Sequence, residues 1–302
     1  MKIAILMSTY NGEKYLDEQL ESIFKQNINA KITLYVRDDG STDSTIAIVQ
    51  QWKQKLDIVL YKEKNLGPAG SFWRLFTLNE IRADYYAFCD QDDIWDSNKL
   101  QAGVEVLKDQ EEAALWCSNC RIIDQNGSIV DEKMNENHPE FTIISQFVCG
   151  TTQGCAMLLN NKLRNYILRN EIHKMPMHDF VIMTYAIAKG KVIYDDTPYF
   201  GYRVHDNNVV AKEGKNFIRH VKGSLDKWFS SNHKNELSDF AMDFLRDNSD
   251  YLDTTTYNYI NTLIRSRRNF IDRFKLIFDE RTKAQNKKAE RSFKIRVLLG
   301  II

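Results

Sequence analysis

Several features that mark specialised protein classes are missing from this sequence. The formal net charge is zero, with 41 Lys and Arg residues against 41 Asp and Glu residues, so no overall positive field favours nucleic acid. Five cysteines are an odd number, which argues against a disulfide scaffold. Cys117 and Cys120 form one Cys-x-x-Cys pair, without the second pair or the histidines that a zinc site requires. We therefore expect reduced thiols in the core of a cytoplasmic protein.

Long apolar runs and glycine-rich phosphate loops are also missing. The N-terminal apolar stretch ends at Met7, too short for the core of a signal peptide, and no window approaches the roughly 20 apolar residues of a membrane span. Neither Gly-x-Gly-x-x-Gly nor the Walker motif occurs, which argues against a dinucleotide fold and against an ATPase. A phosphate held without a glycine cradle would need a cation.

The first ~90 residues alternate between apolar runs of strand length and segments with helical spacing. The predicted strands are Ile3–Met7, Ile32–Val36, Asp57–Tyr61 and Tyr85–Cys89. Helices are expected from Lys14, after Asp43 and from Ser71. This β-α-β-α-β-α-β order predicts an α/β fold with a mostly parallel, doubly wound sheet flanked by helices.

Polar segments follow three of these strands: Ser8–Glu13, Arg37–Asp43 and Asp90–Trp95. The carboxyl ends of parallel strands gather at one edge, where open α/β sheets bind ligands. Asp90 and Asp92 point the same way if the strand continues, and a divalent cation would relieve their repulsion. A turn or a helix cap, in which Asp is also common, is the alternative.

A nucleotide fits this predicted edge of the sheet. Tyr10 would flank a base, and Asp38 would accept a hydrogen bond from a ring N–H. Asp90 would accept from ribose hydroxyls, and Asp92 would hold a metal bound to phosphate oxygens.

The three polar segments, in this order and spacing, resemble the nucleotide-binding blocks of family-2 inverting glycosyltransferases with the GT-A fold. The resemblance covers residues 1–210 and implies a nucleoside-diphosphate sugar donor, Mn²⁺ or Mg²⁺ as cofactor, and a saccharide or lipid-linked saccharide acceptor. The nucleotide-binding residues that it implies are Thr9, Tyr10, Asn11, Glu13, Asp38, Asp90 and Gln91. Asp92 is then the metal-binding aspartate of an Asp-x-Asp motif.

Asn65–Phe72 is similar to the corresponding stretch of bacterial rhamnosyltransferase-like members. This similarity makes dTDP-rhamnose the first candidate donor and a UDP-hexose the second. The acceptor class that the resemblance suggests is a growing bacterial surface polysaccharide.

His178 and Asp179 precede an apolar segment with helical spacing. Their position resembles the Glu-Asp motif of the family, in which the Asp is the general base, although His178 replaces the Glu. A helix cap is the alternative for Asp179. The resemblance places four residues on the acceptor and sugar side: Trp95, Gly154, His178 and Arg203. A bulge that requires glycine is the alternative for Gly154.

Tyr202–His205 resembles the Tyr-Arg-x-His segment of the same family, in which the His approaches the diphosphate and completes the metal site. A neutral imidazole at His205 would suit Mn²⁺ better than Mg²⁺ alone. A histidine in a surface loop is the alternative. Arg203 would pair with phosphate or with a nearby acid.

Glycine and strand signals end near Gly214, so we expect a GT-A domain over residues 1–213 and a helical extension over 214–302. Apolar residues with helical spacing in the extension are Phe217, Val221, Leu225, Trp228, Leu237, Phe240, Ala241, Phe244, Tyr257, Ile260, Ile264, Phe270, Phe274 and Ile277. Residues 281–296 are rich in Lys and Arg and lead into an apolar tail. This segment would lie on an anionic membrane at its inner face, or pack on the core or on a second subunit of a homodimer.

The sequence and the resemblance therefore predict a metal-dependent inverting glycosyltransferase. It would be a hexosyltransferase, and rhamnosyl transfer is one candidate reaction. The alternative is a non-catalytic nucleotide-sugar-binding module with a degenerate site.

Overall fold

In the computed structural model, the first four apolar runs form the parallel part of one sheet. These strands are β1 (Lys2–Thr9), β2 (Lys31–Asp38), β3 (Ile58–Lys62) and β4 (Tyr85–Cys89). They lie in the order β3-β2-β1-β4. Parallel neighbours need crossover connections, which are supplied by α1 (Leu16–Phe24), α2 (Thr45–Trp52) and α3 (Gly67–Thr77). The predicted alternation of strands and helices is therefore confirmed.

The rest of the sheet mixes parallel and antiparallel pairs. Its strands are β5 (Ile94–Trp95), β6 (Ala114–Ile123), β7 (Ile129–Asp131), β8 (Met157–Asn160) and β9 (Lys191–Arg203). β8 is antiparallel to β4 and β6, β6 is parallel to β9, and β5 and β7 pair antiparallel with β9 and β6. α4 (Lys99–Leu107) packs on β6 and β8, and α6 (Asn161–Ile167) follows β8.

Two strands are longer than the sequence indicates. The apolar run that begins at Ala113 ends at Cys117, but β6 continues to Ile123. The run that begins at Lys191 turns polar after Tyr194, but β9 continues to Arg203. The polar residues in both extensions are accommodated by register shifts between β6 and β9 beside Asn119. Irregular pairing of this kind breaks the simple alternation on which strand recognition relies.

The structure describes residues 1–205 and 235–302, and these fall into two compact units. The sheet unit contains Met1–Pro139, Thr152–Tyr166 and the described part of Gly190–Lys212. The helical unit contains Glu140–Thr151, Ile167–Lys189 and the described part of Glu213–Ile302. The expected boundary between residues 213 and 214, and the expected helix with Phe217, Val221, Leu225 and Trp228, lie outside the described residues.

Six α-helices lie in the described part of the helical unit, and an aromatic cluster joins three of them. The six are α5 (Ile143–Cys149), α7 (His178–Lys189), α8 (Glu236–Asn248), α9 (Thr254–Ser266), α10 (Phe270–Phe278) and α11 (Lys287–Leu299). The ring of Phe147 on α5 lies 6.0 Å from that of Phe240 on α8. Phe180 contributes a third ring, 5.8 Å from Phe240. These contacts join α5, α7 and α8.

The apolar end of the chain packs within the helical unit. Val297, Ile301 and Ile302 are buried, and the Ser238 hydroxyl donates to the carbonyl oxygen of Ile302 at 2.7 Å. Among the helices in the described residues, none combines the length and the apolarity that crossing a membrane requires.

Replacement of Phe240 by alanine tests the aromatic cluster. Phe240 is 0% exposed, so Phe240→Ala is expected to lower the free energy of unfolding by about 3–5 kcal/mol through lost burial and an unfilled cavity. Phe278→Ala is the matched control, because Phe278 is 76% exposed and its truncation leaves no cavity. Urea denaturation of both variants measures the difference, and equal effects would show that the cluster does not stabilise this unit.

Candidate functional site

The loop after β2 is fixed by the buried carboxylate of Asp38. Its Oδ1 accepts from the backbone N–H groups of Gly40 and Ser41 at 3.2 and 2.9 Å. Its Oδ2 accepts from the hydroxyls of Thr9 and Ser41 at 3.1 and 2.5 Å. Thr9 pairs with Asp38 in the β1–β2 register, so two predicted nucleotide-binding residues meet at the carboxyl edge of the sheet. Contact between Asp38 and a base stays a prediction.

The loop after β1 is tied to the loop after β2 by Asn11 and Glu13. Asn11 Oδ1 accepts from the backbone N–H of Thr42, and Glu13 Oε2 accepts from that of Ser44, each at 2.9 Å. Asn11 has a φ of 46°, in the left-handed region that asparagine tolerates better than most residues. Both side chains thus shape the edge of the sheet, and nucleotide contact by either stays a prediction.

Gln91 joins the third block to the first. The backbone N–H of Tyr10 donates to Gln91 Oε1 at 2.9 Å, and Gln91 Nε2 donates to the Tyr10 carbonyl oxygen at 3.1 Å. A Cβ atom at Gly12 would lie 2.2 Å from Gln91 Oε1, so a larger residue there would displace the amide. The Tyr10 ring is exposed beside this junction, where a planar base would find a stacking surface.

Asp92 and His205 come together although 113 residues separate them in the chain. His205 Nε2 lies 2.7 Å from Asp92 Oδ2, and both side chains are largely buried with a small exposed fraction. Divalent Mn²⁺ or Mg²⁺ binds oxygen and nitrogen donors at about 2.0–2.2 Å, so two adjacent ligand atoms on one ion stand about 3 Å apart. The donor set and its spacing therefore fit a divalent cation.

A second cluster of donor atoms includes two other carboxylates of the same acidic segment. Asp90, Asp93 and Cys155 offer donor atoms that all lie within 4.8 Å of one another. Burial, reinforced by the charges of Asp90 and Asp92, raises the pKa of Asp93 well above its usual range. Burial also raises the pKa of the Cys155 thiol well above its usual range. A protonated thiol is a poor ligand for a hard cation, so the Asp92–His205 pair is the better candidate.

Arg203 is fully buried behind the acidic loop and supports its backbone. Nε donates to the Asp92 carbonyl oxygen at 2.7 Å, and Nη1 donates to that of Gln125 at 3.1 Å. Nη2 pairs with Glu18 at 2.5 Å, and the guanidinium lies 4.6 Å from the centre of the Tyr15 ring. Of the two alternatives for Arg203, pairing with a nearby acid is seen here. Contact with a sugar or phosphate stays a prediction, for a side chain without exposed surface.

Lys99 is a buried cation that sequence analysis missed. Its Nζ lies 3.6 Å from the centre of the Trp95 ring and donates to the Cys155 carbonyl oxygen at 2.6 Å. Burial lowers the pKa of Lys99 to about 8. Gly154 begins the 3₁₀ turn Gly154–Ala156 that carries this carbonyl, and Trp95 is buried. The sequence offers no signal for this role, because a lysine at the start of a helix is normally solvated.

His178 and Asp179 are the first residues of α7 in the helical unit. His178 is buried, and burial lowers its pKa, while the charge of Asp179 acts in the opposite direction. Asp179 is partly buried, and its Oδ1 accepts from the backbone N–H of Phe180 at 2.7 Å. This bond to the first turn agrees with the capping alternative, whereas a role as general base stays a prediction.

Residues 4–169, more than half of the chain, match the family model described as Glycosyl transferase family 2. The chain belongs to glycosyl transferase family 2. The resemblance of the three polar blocks to this family is thus confirmed, and so is the enzyme class, a glycosyltransferase.

Two relatives from bacteria illustrate the range of sugars in this family. The chain is 28% identical to the dTDP-rhamnosyl transferase RfbG of Shigella flexneri over 219 residues, which are 68% of this chain and 73% of RfbG. It is 30% identical over 205 residues to the poly(ribitol-phosphate) beta-N-acetylglucosaminyltransferase TarS of Staphylococcus aureus strain MW2. That alignment covers 66% of this chain but 35% of TarS.

Solved structures confirm the GT-A fold class. Residues 1–349 of S. aureus TarS in complex with UDP-GlcNAc superpose with a TM-score of 0.58 at 17% identity, covering 99% of this chain and 89% of that one. The mannosyltransferase PcManGT of Pyrobaculum calidifontis, in complex with GDP-Man and Mn²⁺, gives a TM-score of 0.54 at 13% identity. It covers 98% of this chain and 86% of that one.

The buried position of Lys99 generates a prediction about pH. Between pH 8 and about 10.4, the usual lysine pKa, the unfolded chain holds a proton on Lys99 that the folded chain has released. Stability contributed by this position therefore rises with pH, by about 1.4 kcal/mol per pH unit at most. The difference in unfolding free energy between the wild type and Lys99→Met should increase from pH 8 to pH 10 in urea denaturation.

Lys108→Met is the control for this measurement. Lys108 is half exposed on the surface, and its hydrogen bond with Glu105 raises its pKa, so its contribution is present below the usual lysine pKa and is lost above it. No rise between pH 8 and pH 10 is expected for this control. A constant difference for Lys99→Met over the same range would mean that Lys99 remains charged in the folded protein.

Proposed function

We propose that this chain is a metal-dependent inverting glycosyltransferase that moves a sugar from a nucleoside-diphosphate donor to a saccharide acceptor in bacterial surface polysaccharide synthesis. The observation that carries the proposal is the meeting of Asp92 and His205 at the carboxyl edge of the sheet. The Asp38 loop and the Tyr10–Gln91 junction belong to the same edge. Inversion of configuration is inferred from the family resemblance.

The nucleotide would occupy the edge built by the three polar blocks. Tyr10 would stack on the base. Asp38 would accept a hydrogen bond from a ring N–H, and Asp90 would accept hydrogen bonds from ribose hydroxyls. Thr9, Asn11, Glu13 and Gln91 hold the loops in the shape that this requires.

Asp92 and His205 would hold Mn²⁺ or Mg²⁺ against the diphosphate. When bound, such an ion neutralises the charge that develops on the departing nucleotide. The Mn²⁺ in the mannosyltransferase structure supports a metal in this fold class. His205 favours Mn²⁺ over Mg²⁺, because imidazole suits transition metals better.

The relatives support two candidate sugar donors. dTDP-rhamnose is the first candidate, supported by the rhamnosyl transferase from Shigella flexneri and by the similarity of Asn65–Phe72 to rhamnosyltransferase-like members. A UDP-hexose is the second, supported by the UDP-GlcNAc complex of TarS. The acceptor would be a saccharide or a lipid-linked saccharide, and the putative teichuronic acid glycosyltransferase TuaG of Bacillus subtilis supports a cell-surface polymer. The expected location is the cytoplasm, with contact at the inner face of the membrane.

Asp179 would act as the general base. Its carboxylate would take the proton from an acceptor hydroxyl while that oxygen attacks the anomeric carbon from the face opposite the leaving nucleotide. The position of Asp179 in the family's Glu-Asp motif supports this role. His178, Trp95, Gly154 and Arg203 would shape the sugar and acceptor side from buried positions.

Removal of the Asp92 carboxylate tests the metal site. A thermal-shift panel of nucleotide sugars with and without Mn²⁺ should show a metal-dependent rise of several degrees for one nucleotide family, because ligand at about 100 times Kd adds about 2.7 kcal/mol. Asp92→Ala should lose the metal-dependent part of the rise. Asp109→Ala, an exposed aspartate on the same unit, should keep it. A full Mn²⁺-dependent shift in Asp92→Ala would contradict the assignment.

Asp179→Asn separates catalysis from donor binding. Loss of the base should reduce the rate of transfer by at least about a hundredfold, whereas the donor-induced thermal shift should be unchanged. Asp250→Asn, an exposed aspartate in the helical unit, is the control and should transfer normally. Normal transfer by Asp179→Asn would refute the role. Donor binding by the wild type without turnover on any acceptor would favour the non-catalytic module.

A further inference from the structure

Helix α10 turns its large apolar side chains toward solvent. Phe270, Ile271, Phe274 and Phe278 are 60%, 67%, 47% and 76% exposed, and we call them the aromatic stripe. The ring centre of Phe274 lies 5.8 Å from that of Phe270 and 6.3 Å from that of Phe278, so the three rings form a continuous row.

The opposite face of α10 is the one that packs on protein. Leu276 is buried there together with the carboxylate of Asp272, which accepts from Arg265 Nε at 3.0 Å. A helix on a globular protein normally buries its apolar side and exposes its charges. The reversed arrangement of α10 indicates that the aromatic stripe serves contact with another apolar phase or surface.

Cationic side chains border the aromatic stripe. The Arg273 guanidinium lies 4.9 Å from the centre of the Phe270 ring. Lys275 and Arg281 line a cleft of about 340 Å³ together with Asp279 and Phe278. Residues 265–296 contain twelve Lys and Arg residues and four Asp and Glu residues, of which Asp272 and Glu290 are buried. The segment around the stripe therefore carries eight more positive than negative charges (12 − 4), although Lys275 and Arg281 pair with Asp272 and Asp279.

We propose that the aromatic stripe docks this chain on an anionic lipid surface. Phenylalanine side chains would enter the boundary between headgroups and acyl chains, as they do for helices that lie in the membrane interface. Lys275 and Arg281 would remain at headgroup level, with their aliphatic stems along the apolar layer and their charges against lipid phosphates. Phosphate attraction and apolar burial would then act on the same face.

Charge complementarity favours this occupant over a second copy of the chain. A two-fold contact through the aromatic stripe would place the same positive border against itself, and like charges across a contact repel. An anionic bilayer supplies the opposite charge over the whole face. Of the alternatives for the basic C-terminal segment, its apolar end shows packing on protein, since Ile301 and Ile302 are buried in the helical unit, whereas α10 presents exposed apolar area.

Vesicle co-sedimentation of the full chain tests the proposal. Wild-type protein should bind phosphatidylcholine vesicles that contain about 30% phosphatidylglycerol, bind pure phosphatidylcholine much more weakly, and lose part of its binding in about 0.5 M salt. The triple variant Phe270→Ser, Phe274→Ser, Phe278→Ser should bind the anionic vesicles at least about tenfold more weakly, since each ring contributes apolar area. Phe278→Ser alone should show a smaller loss.

Ile129→Ser with Val130→Ser is the matched control, because these residues of β7 are also exposed and apolar but belong to the sheet unit. This control should bind as the wild type does. Unchanged thermal unfolding of the triple variant shows that it folds. The proposal is overturned if the wild type does not bind anionic vesicles. It is also overturned if the triple variant binds them as tightly as the wild type, or if the control double variant loses binding as the triple variant does. A wild-type dimer that the triple variant converts to a monomer in light scattering would instead assign the stripe to self-association.

Discussion

The repulsion among three carboxylates within four residues is the constraint on which the candidate site depends. Asp90, Asp92 and Asp93 follow β4 directly, and the side chains of Arg203 and Lys99 are buried. Arg203 holds the carbonyl oxygen of Asp92, and Lys99 lies under the loop against Trp95. Burial raises the pKa of Asp93 well above its usual range, which favours negative charge on the two partly exposed carboxylates, Asp90 and Asp92. The fold thus directs the charge to the side where a metal ion and a diphosphate would bind.

The second requirement is that loops from distant parts of the chain keep one mutual arrangement. Hydrogen bonds between backbone groups and short polar side chains satisfy it, as between Gln91 and the backbone of Tyr10. These bonds leave the Tyr10 ring exposed while its backbone is fixed on both sides. Preorganisation of this kind reduces the entropy that ligand binding would otherwise cost. The absence of a glycine-rich phosphate loop is consistent with this design, because the loops are held by side chains and the phosphate charge is left to a cation.

Local pattern was sufficient to predict the strand and helix order of the first 90 residues and the residues gathered at the sheet edge, since both depend on period and on the geometry of parallel strands. The local pattern could not predict that Arg203 pairs with Glu18 or that Lys99 is buried. Both depend on which distant segments pack together, and neither residue has a local signature of burial. The length of β9 was missed for a related reason, because its polar residues are stabilised by pairing with β6.

The C-terminal helices show a further limit of prediction from periodicity. The spacing of Phe270 and Phe274 correctly predicted a helix, but a period identifies an apolar face without saying what covers it. The net charge of zero is similarly incomplete as a description, because residues 90–93 hold three acids and no base, whereas residues 265–296 hold twelve Lys and Arg against four Asp and Glu. Fields decay over about 10 Å at moderate salt, so each region acts through its own charge. A neutral chain can therefore bind a cation at one surface and an anionic layer at another.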